Sequence, residues 1–194
     1  MAVECADPQL PQYKPGTDVY RNVLYRYDWC GARVHGLTVD LPCGMGWGTS
    51  LLSKRVTGKV VSVIGVDRNK IFLETARSRY PFLKFYDGNM LKMTFGDAHF
   101  DSIVCCEGLE HLKAEDVPKA LVEFKRLLRP DGVLVGSVPL GPSVAPNQYH
   151  LSTWTESAII TEITKAGFKV RDIGRIYSML LFKAERREQC LSGT

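Results

Sequence analysis

The residues best able to do chemistry in this chain fall into two groups. The first is the stretch VDLPCGMGWG at residues 39–48, where an acidic residue, Asp40, is followed by glycines at alternating positions, Gly44, Gly46 and Gly48. Glycine tolerates positive φ and has no Cβ, so such a turn lets a ligand lie against bare backbone. The second group is CCEGLEHL, which gathers Glu107, Glu110 and His111, with His150 further along in NQYHLSTWT. An imidazole titrates at about 6.5 when unperturbed, which suits a general base working near neutral pH. The glycine spacing narrows the choice of ligand. A dinucleotide turn needs G-x-G-x-x-G, and after Gly44 and Gly46 the third glycine position is taken by Thr49. There is no G-x-x-x-x-G-K-[ST] either, so a nicotinamide oxidoreductase and a nucleoside triphosphate cradle are both disfavoured.

These groups need a scaffold, and the chain alternates the elements of one. Residues 37–41, 59–66, 83–86, 100–106 and 132–138 are short apolar or β-branched runs closed by Asp, Gly or Pro, as buried parallel strands require. Between them lie helical segments at 48–55, 69–80 and 114–128; in the last, Val117, Leu121, Phe124, Leu127 and Leu128 recur at helical spacing. Strands separated by helices make βαβ units and a mostly parallel sheet covered on both faces. A further helix is expected over 156–166, with Thr155 as N-cap and Gly167 as its stop. Two strand-like runs, 169–173 and 176–183, should form a terminal antiparallel hairpin turning at Gly174 and Arg175. The glycine stretch therefore joins the first strand to its helix, where open α/β sheets bind ligands. Ahead of that strand, Val19, Val23, Tyr27 and Cys30 recur at helical spacing and predict a covering helix.

Composition sets the limits. With 194 residues, 45% of them hydrophobic and 24% charged, the chain can bury one substantial core. The expected organisation is an extended arm at 1–17, a single domain at 18–185 and a polar tail at 186–194. The net charge of +4 is spread along the chain, so nothing marks a nucleic-acid or membrane surface, and no stretch approaches the ~20 apolar residues of a membrane span. The six cysteines include no C-x-x-C pair, and Cys105 and Cys106 lie in an apolar run, which reads as reduced core thiols in a cytoplasmic protein.

The stretch around Asp40, Pro42, Gly44 and Gly46 resembles motif I of the class I S-adenosylmethionine (SAM) dependent methyltransferases, with Pro42 standing where that family usually has its first glycine. The resemblance continues in order. VIGVDRNKIFLETARSRY is similar to the family's second strand and helix, FDSIVCCEGLEHL to its fourth strand and following loop, and LVEFKRLLRPDGVLVGSVP to its fifth unit. It implies a Rossmann-like α/β fold: a mostly parallel seven-stranded sheet with helices on both faces and a C-terminal antiparallel hairpin.

The resemblance also implies roles. Asp67 would accept hydrogen bonds from the ribose hydroxyls, with Arg68 beside it. Asp40 and the amides around Gly44 would hold the amino acid end of SAM. Asn89 stands where the family usually has the aspartate that faces the adenine, and Asp87 is the competing candidate. Met90 would cover the ring, and Cys106 would belong to the same cofactor-binding set. An arginine in the covering helix would meet the SAM carboxylate; Arg26, before Tyr27, matches that position, with Arg21 as competitor. Glu107, His111 and His150 would surround the transferred methyl group, His111 being either the general base or structural.

The activity implied is transfer of a methyl group to a small-molecule, saccharide or lipid acceptor, at oxygen, without nucleic-acid partners or membrane insertion. A SAM-binding protein without catalysis is the nonenzymatic alternative. Glu107, Glu110, His111 and His150 also match the metal-holding set of methyltransferases that modify the 2′-hydroxyl of small RNAs. A divalent ion held there would lower the pKa of a bound hydroxyl without needing a protein base.

Overall fold

The computed structural model describes residues 14–54, 60–141 and 149–187, so most of the expected arm and tail lies outside the described residues. Helix α1, Asp18–Gly31, starts where the Thr17 side chain accepts a hydrogen bond from the Tyr20 amide. It buries Val23, Tyr27 and Cys30 of the expected stripe together with Arg26, while Val19 is exposed. Strands and helices then alternate: β1 Gly36–Asp40, α2 Trp47–Lys54, β2 Val60–Asp67, α3 Lys70–Arg79, β3 Lys84–Asp87 and β4 Phe100–Cys106. After a short 3-10 turn, Leu109–His111, come α4 Val117–Leu127, β5 Leu128–Pro139, α5 Glu156–Lys165, β6 Phe168–Ile176 and β7 Met179–Arg186.

The seven strands form one sheet in the order β3-β2-β1-β4-β5-β7-β6. The ladders among β1 to β5 are parallel, and β7 runs antiparallel to both β5 and β6. Because successive side chains on a strand face opposite ways, the adjacent thiols of β4 separate. Cys105 packs with Val39, Ile103 and the α4–α5 side, and Cys106 packs with Val23, Cys30 and the α1–α2 side. The α4 stripe of Val117, Ala120, Leu121, Phe124 and Leu127 is fully buried. Each of its large side chains is worth about 1.5–3 kcal/mol of apolar burial. The parallel register brings the ends of β1, β2 and β4, at Asp40, Asp67 and Cys106, to one edge of the sheet.

Three boundaries differ from the sequence reading. Helix α4 begins at Val117 rather than at 114, because Pro118 favours the first turn and sets the start there. Strand β5 extends back to Leu128, which pairs with Phe100 across a register shift. The hairpin turns at Tyr177 and Ser178, between the paired Ile176 and Met179, not at Gly174 and Arg175. Gly174 lies inside β6, where a Cβ would sit 2.8 Å from Trp29 Nε1. Its glycine is explained by the close approach of α1, which sequence alone reads as a turn.

Candidate functional site

At that edge of the sheet lies a cavity of about 440 Å³. Arg26, Pro42, Gly44, Asp67, Arg68 and Asn89 line one end of it. Met90 and Cys106 continue the wall toward Glu107, Glu110, His111 and His150. Asp40, Gly46 and Asp87, which the sequence reading also placed at the cofactor, are not on the wall.

The glycine turn explains two of these absences. Gly44 has φ +53° and its amide donates to Asp67 Oδ2 at 2.9 Å. Gly46 has φ +83°, and a Cβ there would lie 2.8 Å from the Phe85 ring. A Cβ on Gly48 would lie 2.0 Å from Tyr27 Cζ and 2.1 Å from its hydroxyl oxygen. Gly44 and Gly48 therefore both lie on the cavity wall, with Gly48 also admitting the covering helix, while Gly46 admits α3–β3 packing. Asp40 sits behind the turn, fully buried, accepting from Thr49 Oγ1 at 2.7 Å and from the Tyr27 hydroxyl at 3.3 Å. Burial outweighs those two hydrogen bonds and pushes its pKa up to about 7. It holds α1 and α2 to the turn rather than touching a ligand.

Asp67 is held at the cavity edge by the Gly44 amide on one oxygen and the Asn69 amide, at 2.8 Å, on the other. Burial raises its pKa against the pull of those amides. A carboxylate has about four lone-pair sites, so acceptor capacity remains for hydroxyls of a ligand. Asn89 takes the Leu91 amide on Oδ1 at 3.0 Å, an Asx-type turn that fixes it on the wall, while Asp87 ends β3 in the exposed edge strand. Of the two candidates, Asn89 lines the cavity and Asp87 does not.

Arg26 is only 7% exposed, yet its Nε and Nη1 carry no hydrogen bond. The guanidinium faces Glu107, Nη1 to Oε1 at 3.4 Å. Burial works against its charge, but Glu107, with smaller contributions from Cys106, Tyr27 and Glu110, holds its pKa above the ordinary arginine value. Glu107 has φ +52°, an uncommon conformation for a residue with a side chain, and its carboxylate accepts from the Ser137 hydroxyl at 3.0 Å. Arg21, the competing arginine, is exposed and bonded to Asp18 and the Gly16 carbonyl.

The other end of the cavity is stitched together by a returning segment. Leu151 and Ser152 donate their amides to the Glu110 carbonyl at 2.8 and 3.1 Å. Trp154 Nε1 donates to Ser152 Oγ at 3.0 Å, and that hydroxyl donates to the Leu109 carbonyl. The Gly141 amide closes on the Trp154 carbonyl at 2.9 Å. These bonds bring His150 against His111, with ring centroids 5.2 Å apart. His111 Nδ1 lies 2.9 Å from the Tyr149 carbonyl. A carbonyl only accepts, so the hydrogen-bond network assigns the proton to Nδ1 and leaves Nε2 of the neutral ring as an acceptor.

One ligand atom each from Glu110, His111 and His150 lies within 4.8 Å of the others, close enough for a metal ion. Glu107 is outside this cluster, turned to Arg26 and Ser137. That corrects the four-residue metal set: Glu107 belongs to the arginine. Sequence reasoning missed Ser137 and Thr49, whose partners are set only by strand register, and the Tyr149 carbonyl, which no residue type signals.

Known proteins share this pattern. A family model described as a methyltransferase domain matches residues 38–132. A 2-phytyl-1,4-naphtoquinone methyltransferase of Trichormus variabilis is 34% identical over 109 residues, which are 53% of this chain and 46% of that protein. The matched part thus spans about half the length of the curated relatives. Among solved structures, the PH0226 protein of Pyrococcus horikoshii superposes with a TM-score of 0.73 at 16% identity, over 92% of this chain and 97% of that one. An S-adenosylmethionine dependent methyltransferase of Mesorhizobium loti gives a TM-score of 0.67 at 18% identity, over 82% of this chain and 98% of that one. Among the described residues no helix is long and apolar enough to cross a membrane.

Proposed function

The chain belongs to the class I S-adenosylmethionine-dependent methyltransferases, and on that premise we propose that it transfers a methyl group from SAM to a hydroxyl of a small-molecule, saccharide or lipid acceptor. The observation that carries this reading is Arg26, a buried cation on the cavity wall with hydrogen-bond donors unspent. It fits the carboxylate of SAM, while Asp67, with acceptor sites left over, fits the ribose diol; Arg68, Asn89 and Met90 line the part left for the adenine. The cofactor, when bound, supplies a methyl group already activated on a sulfonium. The protein's task is then alignment and, for a hydroxyl acceptor, removal of a proton.

In this reading His111 Nε2 takes the proton of the acceptor, with the Tyr149 carbonyl fixing the tautomer that makes Nε2 basic. Glu107 steadies Arg26, and His150 packs the ring of His111 from the side. The relative that acts on a naphthoquinone supports a small acceptor. A cytoplasmic setting, where thiols stay reduced, suits Cys30, Cys43, Cys105 and Cys106, none of which is in a disulfide.

The test is thermal unfolding with SAM, S-adenosylhomocysteine and NAD, followed by methyl transfer to a panel of hydroxylated acceptors. SAM and its product should raise Tm by mass action and NAD should not; a shift with NAD alone would overturn the reading.

A second reading rests on the Glu110, His111 and His150 cluster. A divalent ion held there would acidify the acceptor hydroxyl in place of a base. Turnover lost on chelation, restored by Mg, Mn or Co, and lost equally in His111→Ala and His150→Ala would select this reading. Turnover indifferent to chelation, with His111→Ala alone flattening its pH dependence near neutrality, would select the general base.

A further inference from the structure

Two thiols meet at the cavity wall. Cys106, at the end of β4, lines the cavity, and Cys30, on α1, is fully buried directly behind it, with the two Sγ atoms 3.5 Å apart. They share a thiol–thiol hydrogen bond and no disulfide. The pair bridges the sheet and the helix that carries Arg26 and Tyr27, so whatever joins the two sulfurs acts on the helix that closes the cofactor end. The remaining described cysteines are placed elsewhere: Cys105 points to the opposite face of the sheet, and Cys43 packs with Leu73, Ala76 and Phe85.

We propose that Cys30 and Cys106 form a peroxide-reactive pair, with Cys106 as the attacking thiol and Cys30 as the resolving one, and that their disulfide shuts off cofactor binding. The assignment of roles follows from access. A hydroperoxide entering the cavity meets Cys106 on the wall, whereas Cys30 is fully buried and off the wall. The guanidinium of Arg26 shares that wall and offers a cationic neighbour, the kind of surrounding in which thiols react.

The Cys106 thiolate attacks the terminal oxygen of the hydroperoxide, breaking the O–O bond and releasing the alcohol, or water from hydrogen peroxide, as the leaving oxygen takes up the thiol proton. Cys30 then attacks the sulfur of the Cys106 sulfenic acid, expelling hydroxide, which leaves as water with the Cys30 proton. Two thiols are oxidised by two electrons and the peroxide is reduced by two. The sulfurs must close from 3.5 Å to about 2.05 Å. That draws the Cys106 side chain off the wall and pins α1 against β4. Shielding of Cys106 by bound cofactor rests on the function proposed above; formation of the disulfide does not.

The experiment treats the full chain with hydrogen peroxide, blocks remaining thiols by alkylation, and maps the unreduced peptides by mass spectrometry, with and without S-adenosylhomocysteine. A Cys30–Cys106 cross-linked peptide is expected, forming about tenfold more slowly with the ligand present. The oxidised chain should bind S-adenosylhomocysteine about tenfold more weakly, with full recovery on reduction. Cys30→Ser should bind the ligand as the parent does, give no cross-link, and leave a Cys106 sulfenic acid that dimedone traps. Recovery of Cys30 and Cys106 as alkylated thiols after peroxide, with any cross-links confined to other cysteines, would overturn the proposal. A cross-link that forms equally fast with bound ligand and leaves affinity unchanged would overturn its control of the cofactor. If the ligand fails to bind the reduced chain at all, the methyltransferase reading fails while the peptide map still decides the thiol chemistry.

Discussion

At the end of the cavity proposed for the cofactor, two side chains sit at or just beyond strand ends and are held by nearby backbone groups: Asp67 by the amides of Gly44 and Asn69, Asn89 by the amide of Leu91. At the acceptor end His111 and His150 meet only because a segment returning after β5 is laced to the turn after β4, through Leu151, Ser152 and Trp154. The first end is fixed by the sheet itself. The second is held by a handful of hydrogen bonds between two loops outside the sheet, so it can change without disturbing the first. The same sheet can in this way keep one cofactor and accept different substrates.

The largest effect that tests this contrast is a pH dependence. Asp40 is at a pKa of about 7 in the folded chain against an ordinary 3.8. A carboxyl with a raised folded pKa stabilises fully below its unfolded value, and the contribution is lost as pH rises through the folded one. Stability should therefore fall between roughly pH 4 and 7, by about 4 kcal/mol at most. Asp67, raised by burial as well, adds in the same direction. Urea titrations across that range should show the slope in the parent chain and a weaker one in Asp40→Asn; identical slopes would mean that Asp40 is not the buried latch between α1 and α2.

Next in size is Gly48→Val. Its side chain would clash with the Tyr27 ring, so unfolding free energy should drop by about 3 kcal/mol or more, read by urea denaturation. Native stability with lost ligand binding would instead mean that Gly48 is required by its place on the cavity wall rather than by Tyr27.

At the acceptor end, Trp154→Phe removes the donor to Ser152 and should cost about 1 kcal/mol of stability. Turnover should fall while S-adenosylhomocysteine affinity holds, and an equal loss in both would show that the two ends are not separable. The smallest effect should come from Phe82→Ser, outside both ends and 98% exposed, where stability should stay within about 0.5 kcal/mol.

Much of the cavity wall proposed for the cofactor was legible in the sequence because its signals are local. The glycine turn after β1, the acid ending β2 and the amphipathic spacing of α1 each placed a residue on the wall: Gly44, Asp67 and Arg26. What the spacing could not say is why a glycine is a glycine. Gly46 and Gly48 answer to Phe85 and Tyr27, and Gly174 answers to Trp29, partners set by helix packing over the sheet. Asp40 misled for a related reason: strand alternation turned it to the buried face, where Thr49 and Tyr27 wait. At the acceptor end, residue types marked His111 and His150, but the split of Glu107 from Glu110 depends on the positive φ of Glu107 and the register that sets Ser137 beside it.

The central claim, that Arg26 recognises the carboxylate of the cofactor, is tested most directly by calorimetry. S-adenosylhomocysteine and its analogue lacking the carboxylate are each titrated into the parent chain and into Arg26→Met. Loss of the carboxylate should cost the parent about 1.5–3 kcal/mol, the range for a hydrogen bond to a charged group, and cost Arg26→Met almost nothing. An equal penalty in both chains would contradict the account, since the carboxylate would then be bound somewhere other than Arg26.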